Sequence, residues 1–232
     1  MLTKKICVFD FETDGSNPLV CSPVQLAAVI IDPVKLEIVP DSEFNAFFKP
    51  EPMENNSDYK YDTDIIEFHS KVRGCSQEAI YAAWNEYPSQ EVSWKAFVSY
   101  LEKYNCFGYK KKSIFSAPIA AGYNINRFDL KIIQRLSEKY KNVDAKENIT
   151  TLFYPRDVLD IMNLVFYWFE NINIKNYSLD TIREYMGISK DGAHDALKDV
   201  KDCAKILLRF MRLHRNLSAK IIFKDAFLND KV

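Results

Sequence analysis

An α/β fold, a mixed sheet flanked by helices, is the class this sequence predicts, and three observations carry it. Three short apolar runs with strand character open the chain, at 5–12, 24–31 and 43–48. Apolar residues then recur at helical spacing, first around 65–72 and again around 94–101. From about residue 114, strand-like and helix-like patterns alternate. Strands first, followed by alternation, build a sheet of mixed direction with helices packed on it.

Each element has its own local reason. The connectors between the opening strands carry Gly15, Asn17, Pro18 and Pro23, then Pro33 and Pro40, and are short enough for an antiparallel meander. The stretch 50–61, rich in Pro, Asn, Asp and Glu, reads as a surface loop. Lys110, Lys111 and Lys112 form a basic turn before a strand at 114–121. Ile132, Ile133, Leu136 and Tyr140 then recur at helical spacing; Asn126 is the expected N-cap, and Asp129 falls in the first turn. Another exposed loop is expected at 141–151, followed by a strand-like 152–154 and an apolar helix over 158–169, whose Tyr167, Trp168 and Phe169 are expected in the core. Ser178 suits the cap of a helix reaching Met186, with Gly187 at its end. A last long helix spans about 195–213, with Leu197, Val200, Ala204, Leu207, Leu208 and Met211 on its apolar face.

Composition narrows the class of protein. At 232 residues, 47% of them apolar, the chain can bury one sizeable core, and nothing forces a second domain. A single domain over 1–232 is expected, its motif-bearing part at about 5–213 and a short extension at 214–232. Apolar runs fall well short of the roughly 20 residues a membrane span needs, and the N-terminus lacks a signal-like pattern. A cytoplasmic protein with no membrane partner is the expectation. The five cysteines are scattered and form no C-x-x-C pair, which argues against both a zinc site and a disulfide framework. A net charge of -1 supplies no global attraction to nucleic acid, although bound divalent cations would add positive charge that this count omits.

The chemistry begins at Asp10 and Glu12, two residues apart inside the apolar strand. Strand period is two, so both carboxylates leave one face. Like charges held close at the end of a buried strand are costly unless cations neutralise them. Asp-x-Glu alone is a poor signal among 32 acidic residues; its place in a strand, followed by Thr13-Asp14-Gly15, strengthens it. A second segment, Gly122-Tyr123-Asn124-Ile125-Asn126-Arg127-Phe128-Asp129, could be a plain strand-to-helix junction in which Asp129 favours the helix dipole. The third, His194-Asp195-Ala196-Leu197-Lys198-Asp199, could be a loop histidine beside ordinary first-turn acids.

In order, the three segments resemble the three motifs of the DEDD family of 3′-to-5′ exonucleases, the group that includes the proofreading epsilon subunit of bacterial DNA polymerase III and ribonuclease T. His194 stands five residues before Asp199, as in the histidine branch. Gln25-Leu26-Ala27-Ala28, Tyr177-Ser178-Leu179-Asp180 and Gly187-Ile188 extend the match, and with Asp157-Val158-Leu159-Asp160 the chain looks most similar to the nuclease domain of bacterial exonuclease I. The resemblance implies a ribonuclease H-like mixed five-stranded sheet and a site for two Mg²⁺ or Mn²⁺ ions. By the same resemblance Asp10 bridges the two ions, Glu12 and Asp199 complete one coordination sphere, Asp129 holds the other through water, and His194 is the general base toward the attacking water. Thr13, Tyr123 and Asn124 are the implied contacts to the terminal nucleotides. His69 follows Phe68 in a segment that approaches the substrate in related enzymes; its residue context alone predicts a surface or packing role. Asp14 departs from the family, where an uncharged residue is more usual, and this puts substrate affinity in doubt.

The implied activity is 3′-to-5′ hydrolysis of single-stranded DNA with release of nucleoside 5′-monophosphates, the partner being a single strand with a free 3′ end and DNA favoured over RNA. The sequence names no protein partner. Rival readings are an exoribonuclease of the same family, a ribonuclease H-type endonuclease, and a non-catalytic binding or polymerase-associated subunit. The last should have lost a metal ligand, and this chain retains all of them.

Overall fold

The structure, a computed structural model, describes residues 2–51, 62–106, 116–143, 148, 150–192 and 195–220. Its strands are β1 (Ile6–Thr13), β2 (Pro23–Asp32), β3 (Glu37–Ile38), β4 (Phe44–Phe47), β5 (Ile119–Gly122) and β6 (Val158–Asp160). Its helices are α1 (Thr63–Arg73), α2 (Gln77–Glu86), α3 (Gln90–Glu102), α4 (Asp129–Lys139), α5 (Ile161–Trp168), α6 (Leu179–Tyr185) and α7 (Ala196–Ser218).

The sheet runs β3-β2-β1-β5-β6, with β4 also paired to β2. β1 pairs antiparallel with β2, β2 antiparallel with β3 and β4, and β5 lies parallel to both β1 and β6. The expected mixed α/β architecture is present, with six strands rather than five. β3 and β4 line different stretches of the same edge of β2, at Ile31–Asp32 and Gln25–Ala28, so the sheet is still five ribbons wide.

Strand alternation divides the interior in two. Ile6, Val8, Ala27, Val29, Ile31 and Ala121 face α5, α6 and α7. Cys7, Phe9, Phe11, Leu26, Ala28 and Ile30 face α3 and α4, in a layer rich in rings: Phe9 stacks on Phe153 at 5.1 Å and lies 6.2 Å from Phe97. Asp10 and Glu12 continue the even series begun by Ile6 and Val8, and therefore point to the α7 side. A smaller cluster of Val24, Ile66, Ile80 and Trp84 seats the α1–α2 pair beside the start of β2. The cysteines are free: Cys7, Cys21 and Cys203 are buried, Cys75 and Cys106 half-buried.

Several expectations change. The stretch 152–154 is not a strand: Leu152 adopts φ 65° and Phe153 plugs the ring-rich layer. The strand lies at Val158–Asp160, the first residues of the expected helix, and pairs with β5. Asp160 marks the switch, because its Oδ1 accepts from the Met162 amide at 3.1 Å and caps α5. An apolar run reads as strand or helix until its cap is seen. Tyr167 is 72% exposed and Phe166 59%, so the expected core placement holds only for their neighbours Trp168 and Phe169, which pack against the α7 side. Asn126 does not cap α4; Phe128 occupies that position without a side-chain bond, and the Asn126 amide donates instead to Asp160 Oδ2 at 3.2 Å. α2 was not expected; its signals are the cap Ser76, which accepts from the Ala79 amide, and Ile80 and Trp84 one turn apart. Ser178 caps α6 as expected, Gly187 follows it at φ 64°, and α7 extends past the expected end to Ser218. The loop expected at 50–61 and the basic turn at 110–112 lie mostly or wholly outside the described residues.

Candidate metal centre

β1 carries its carboxylates past the point where its neighbour stops. β5 pairs with β1 only along Ile6–Val8, which leaves the backbone of the following residues open on that side. Asp129, at the first position of α4 and 3% exposed, fills this gap: its Oδ1 accepts from the Phe11 amide at 2.9 Å. The second motif is thereby joined to the first between Asp10 and Glu12. Gly122 permits the approach, because a Cβ there would stand 2.7 Å from the Phe9 carbonyl oxygen. Asn124 follows in the left-handed region at φ 57°, a conformation Asn tolerates better than most residues. Asp160 Oδ1 accepts from the Asn124 amide at 3.0 Å, so this one buried acid clamps the loop and caps the next helix.

Opposite Asp10 on β2 stands Ala27, a small residue on the same face. The N-terminus of α7 comes over this face, its cap Asp195 accepting from the Lys198 amide at 3.1 Å. That places Asp199 in the first turn of α7. Ligand oxygens of Asp10, Glu12 and Asp199 all lie within 4.8 Å of one another. His194 lies outside the described residues.

The electrostatics follow from this crowding. Burial, then Asp129, Glu12 and Asp199, push the Asp10 carboxyl well above its ordinary range, with Arg183 opposing. Burial and then Asp199 raise Glu12 to about 8. Burial raises Asp129 to about 7 against the Phe11 hydrogen bond. A set of oxygen donors that would rather keep protons than repel one another is the environment a hard divalent cation stabilises. Among the described residues the gathered donors are carboxylate oxygens, a chemistry that fits Mg²⁺ or Mn²⁺.

Of the other predicted residues, Thr13 ends β1, and Tyr123 and Asn124 follow β5. Thr13 is buried at a bulge that ends β1; its hydroxyl donates to the Gly15 carbonyl at 2.7 Å, and its own carbonyl accepts from His69 Nε2 at 2.9 Å. His69 is itself buried, edge-on to Trp84 at 5.4 Å, so of the expected surface or packing placements the surface one does not hold. The Tyr123 hydroxyl donates to the Tyr177 carbonyl at 2.6 Å, so its ring is what remains for a ligand. Asp14 is 2% exposed and turns into its own loop, where Oδ1 accepts from the Ser22 amide at 2.6 Å. Burial raises it to about 6, and it does not join the carboxylate group. Two roles escape the sequence, although Asp160 itself stands in the Asp157-Val158-Leu159-Asp160 resemblance. Asp160 acts through backbone amides that no motif displays, and Arg183, behind Asp199, announces itself only by an acid at 202 amid the apolar residues of α7.

Comparison with known proteins agrees with this geometry. Residues 110–207 match the RNase T exonuclease family. The chain is 23% identical over 226 residues to PolC-type DNA polymerase III of Thermotoga petrophila and of Thermotoga maritima, covering 97% of this chain and 13% of each polymerase. Its fold is shared with Escherichia coli exonuclease I in complex with a dT13 oligonucleotide, at TM-score 0.66 and 16% identity over 94% of this chain and 43% of that one. It is shared also with a moderately thermophilic exonuclease I from Methylocaldum szegediense, at TM-score 0.59 and 20% identity over 88% of this chain and 40% of that one. The chain thus spans well under half the length of these relatives. The match of residues 110–207 to the RNase T exonuclease family, the fold shared with exonuclease I and the gathering of carboxylates agree with one another.

Proposed function

We propose that this domain is a metal-dependent 3′-to-5′ exonuclease that removes nucleoside 5′-monophosphates from the 3′ end of single-stranded DNA. The observation that carries the proposal is the gathering of Asp10, Glu12 and Asp199 within 4.8 Å, with Asp129 joined to the backbone between the first two. Two Mg²⁺ or Mn²⁺ ions bound there would supply charge stabilisation to both the attacking and the leaving oxygen of phosphodiester hydrolysis. Asp10, Glu12 and Asp199 are the residues to hold them, with Asp129 at the second position.

The protein's own groups do the rest. His194 takes the proton of the attacking water, a task suited to an imidazole whose ordinary pKa lies near neutrality. The Tyr123 ring and Asn124 lie in the loop that Asp160 clamps and meet the terminal nucleotides there; Thr13, at the end of β1, borders them on the other side. A single strand is favoured because exonuclease I, whose fold this chain shares, is described with a dT13 oligonucleotide.

Digestion of a 5′-labelled single strand with Mg²⁺ or Mn²⁺ tests the reading. A ladder shortening from the 3′ end is expected, with none in EDTA; an untouched strand in either metal would overturn it. Matched RNA in the same assay separates the deoxyribonuclease from an exoribonuclease, and a circular strand separates an exonuclease from an endonuclease.

A further inference from the structure

Asp199 is held from behind by a buried cation. Arg183 on α6 is 1% exposed, and its guanidinium serves three carboxylates. Nη2 donates to Asp199 Oδ1 at 2.6 Å, Nε to Asp202 Oδ2 at 3.0 Å and Nη1 to Asp180 Oδ1 at 2.9 Å. Asp199 and Asp202 are three residues apart on α7 and so share a face, which lets one planar fork from a neighbouring helix reach both. Asp202 is fully buried and is itself fixed by Lys198 and by Lys205 Nζ at 3.1 Å. Lys198 Nζ also donates to the Ser189 carbonyl at 2.9 Å, tying the segment after α6 to α7.

We propose that Arg183, anchored by Asp202, is the positioning residue of the metal centre: it sets the rotation of the Asp199 carboxylate, so that a divalent cation among Asp10, Glu12 and Asp199 meets a ligand already oriented. The inference rests on the metal-dependent reading above. A carboxylate bonded at one oxygen to a rigid, buried guanidinium cannot swing freely, whereas the same carboxylate at an unsupported helix start would sample several rotamers. Outer partners of this kind typically change metal affinity by about 10–100-fold when removed. A plain staple between α6 and α7 would instead change stability and leave the affinity of the folded protein alone.

The test uses the whole chain and Mn²⁺ itself as probe. Free Mn²⁺ is read by electron paramagnetic resonance for the wild type, Arg183→Lys and the double variant Arg183→Met with Asp202→Leu, each also melted in EDTA. Lysine keeps the charge without the fork. The double variant replaces the buried ion pair by apolar side chains of similar size, a change buried pairs often tolerate, and so keeps the question open if lysine alone does not fold. Both variants are expected to weaken Mn²⁺ binding by about 10-fold or more. Excess Mn²⁺ should restore strand digestion to them but not to Asp199→Asn. Wild-type Mn²⁺ affinity in a folded variant, whether or not its melting point drops, overturns the positioning role. A wild type that binds no Mn²⁺ overturns the metal reading itself, a distinct result.

Discussion

Two acidic groups meet Asp199 at the start of α7, Asp202 one turn along the helix and the Asp10–Glu12 pair on β1, and the structure treats them in opposite ways. Asp202 is surrounded by cations: although burial disfavours its charge, Lys198 and Lys205 hold its carboxyl below the ordinary range, and Arg183 completes the set. Asp10 and Glu12 are surrounded by acids, and burial with those neighbours drives both carboxyls up. Asp199 stands between, bonded to Arg183 on one side and gathered with Asp10 and Glu12 on the other. The residue type is the same in each group. What differs is whether the chain supplies its own counter-charge or leaves one to be bound, and only the second arrangement makes a site.

The comparison can be broken most severely at Asp10. Asp10→Asn should lower strand digestion by about 1,000-fold or more. It should at the same time raise the melting temperature in EDTA, because a carboxyl that burial and three neighbouring carboxylates make costly to ionise is replaced by a neutral amide. A fall in melting temperature would show that Asp10 is compensated from within after all. His194→Ala should reduce turnover by about 100- to 10,000-fold while leaving Mn²⁺ affinity in place, as read by steady-state rates beside a binding titration.

At the compensated group the effect is on stability. Asp202→Asn leaves a buried guanidinium and two ammonium groups short of a partner, and should cost about 3 kcal/mol in urea unfolding. A smaller structural effect is expected at Gly122→Ala. The added Cβ meets the Phe9 carbonyl oxygen at 2.7 Å, so β5 must move from β1 at a cost of about 1–3 kcal/mol, and the Asn124 loop moves with it.

The gentlest probe is pH. Without metal, Glu12 near 8 and Asp129 near 7 keep protons in the folded state that they lose when unfolded. The stability this contributes is fully present below the ordinary carboxylate range and is lost as pH rises through about 7 to 8. The melting temperature in EDTA should therefore fall between pH 5 and 9. Mn²⁺ affinity should climb over the same interval, because the cation must displace those protons. A flat melting profile would mean that the two carboxyls are already charged and compensated.

Much of this was legible in the sequence because it rests on short-range pattern. Alternation in β1 predicts that Asp10 and Glu12 share a face, and in the fold that face is the α7 side with Ile6 and Val8. Ser178 and Gly187 bound α6 by backbone geometry that their residue types favour. Where the reading went astray, the deciding partner was distant. Val158–Asp160 is strand because β5 lies beside it, and Asn126 gives up the α4 cap because Asp160 takes its amide. Asp14, beside the first motif, turns its carboxylate to the Ser22 amide, eight residues on, a partner that its position in the sequence does not display.

The sequence by itself determined the mixed α/β class and the identity of the candidate ligands, since strand period, helix caps and motif order are properties of neighbouring residues. Tertiary structure alone decided how the acids divide between a compensated group and a site. Charge compensation depends on which side chains meet in space, and Arg183 meets Asp199 and Asp202 only once α6 has packed against α7.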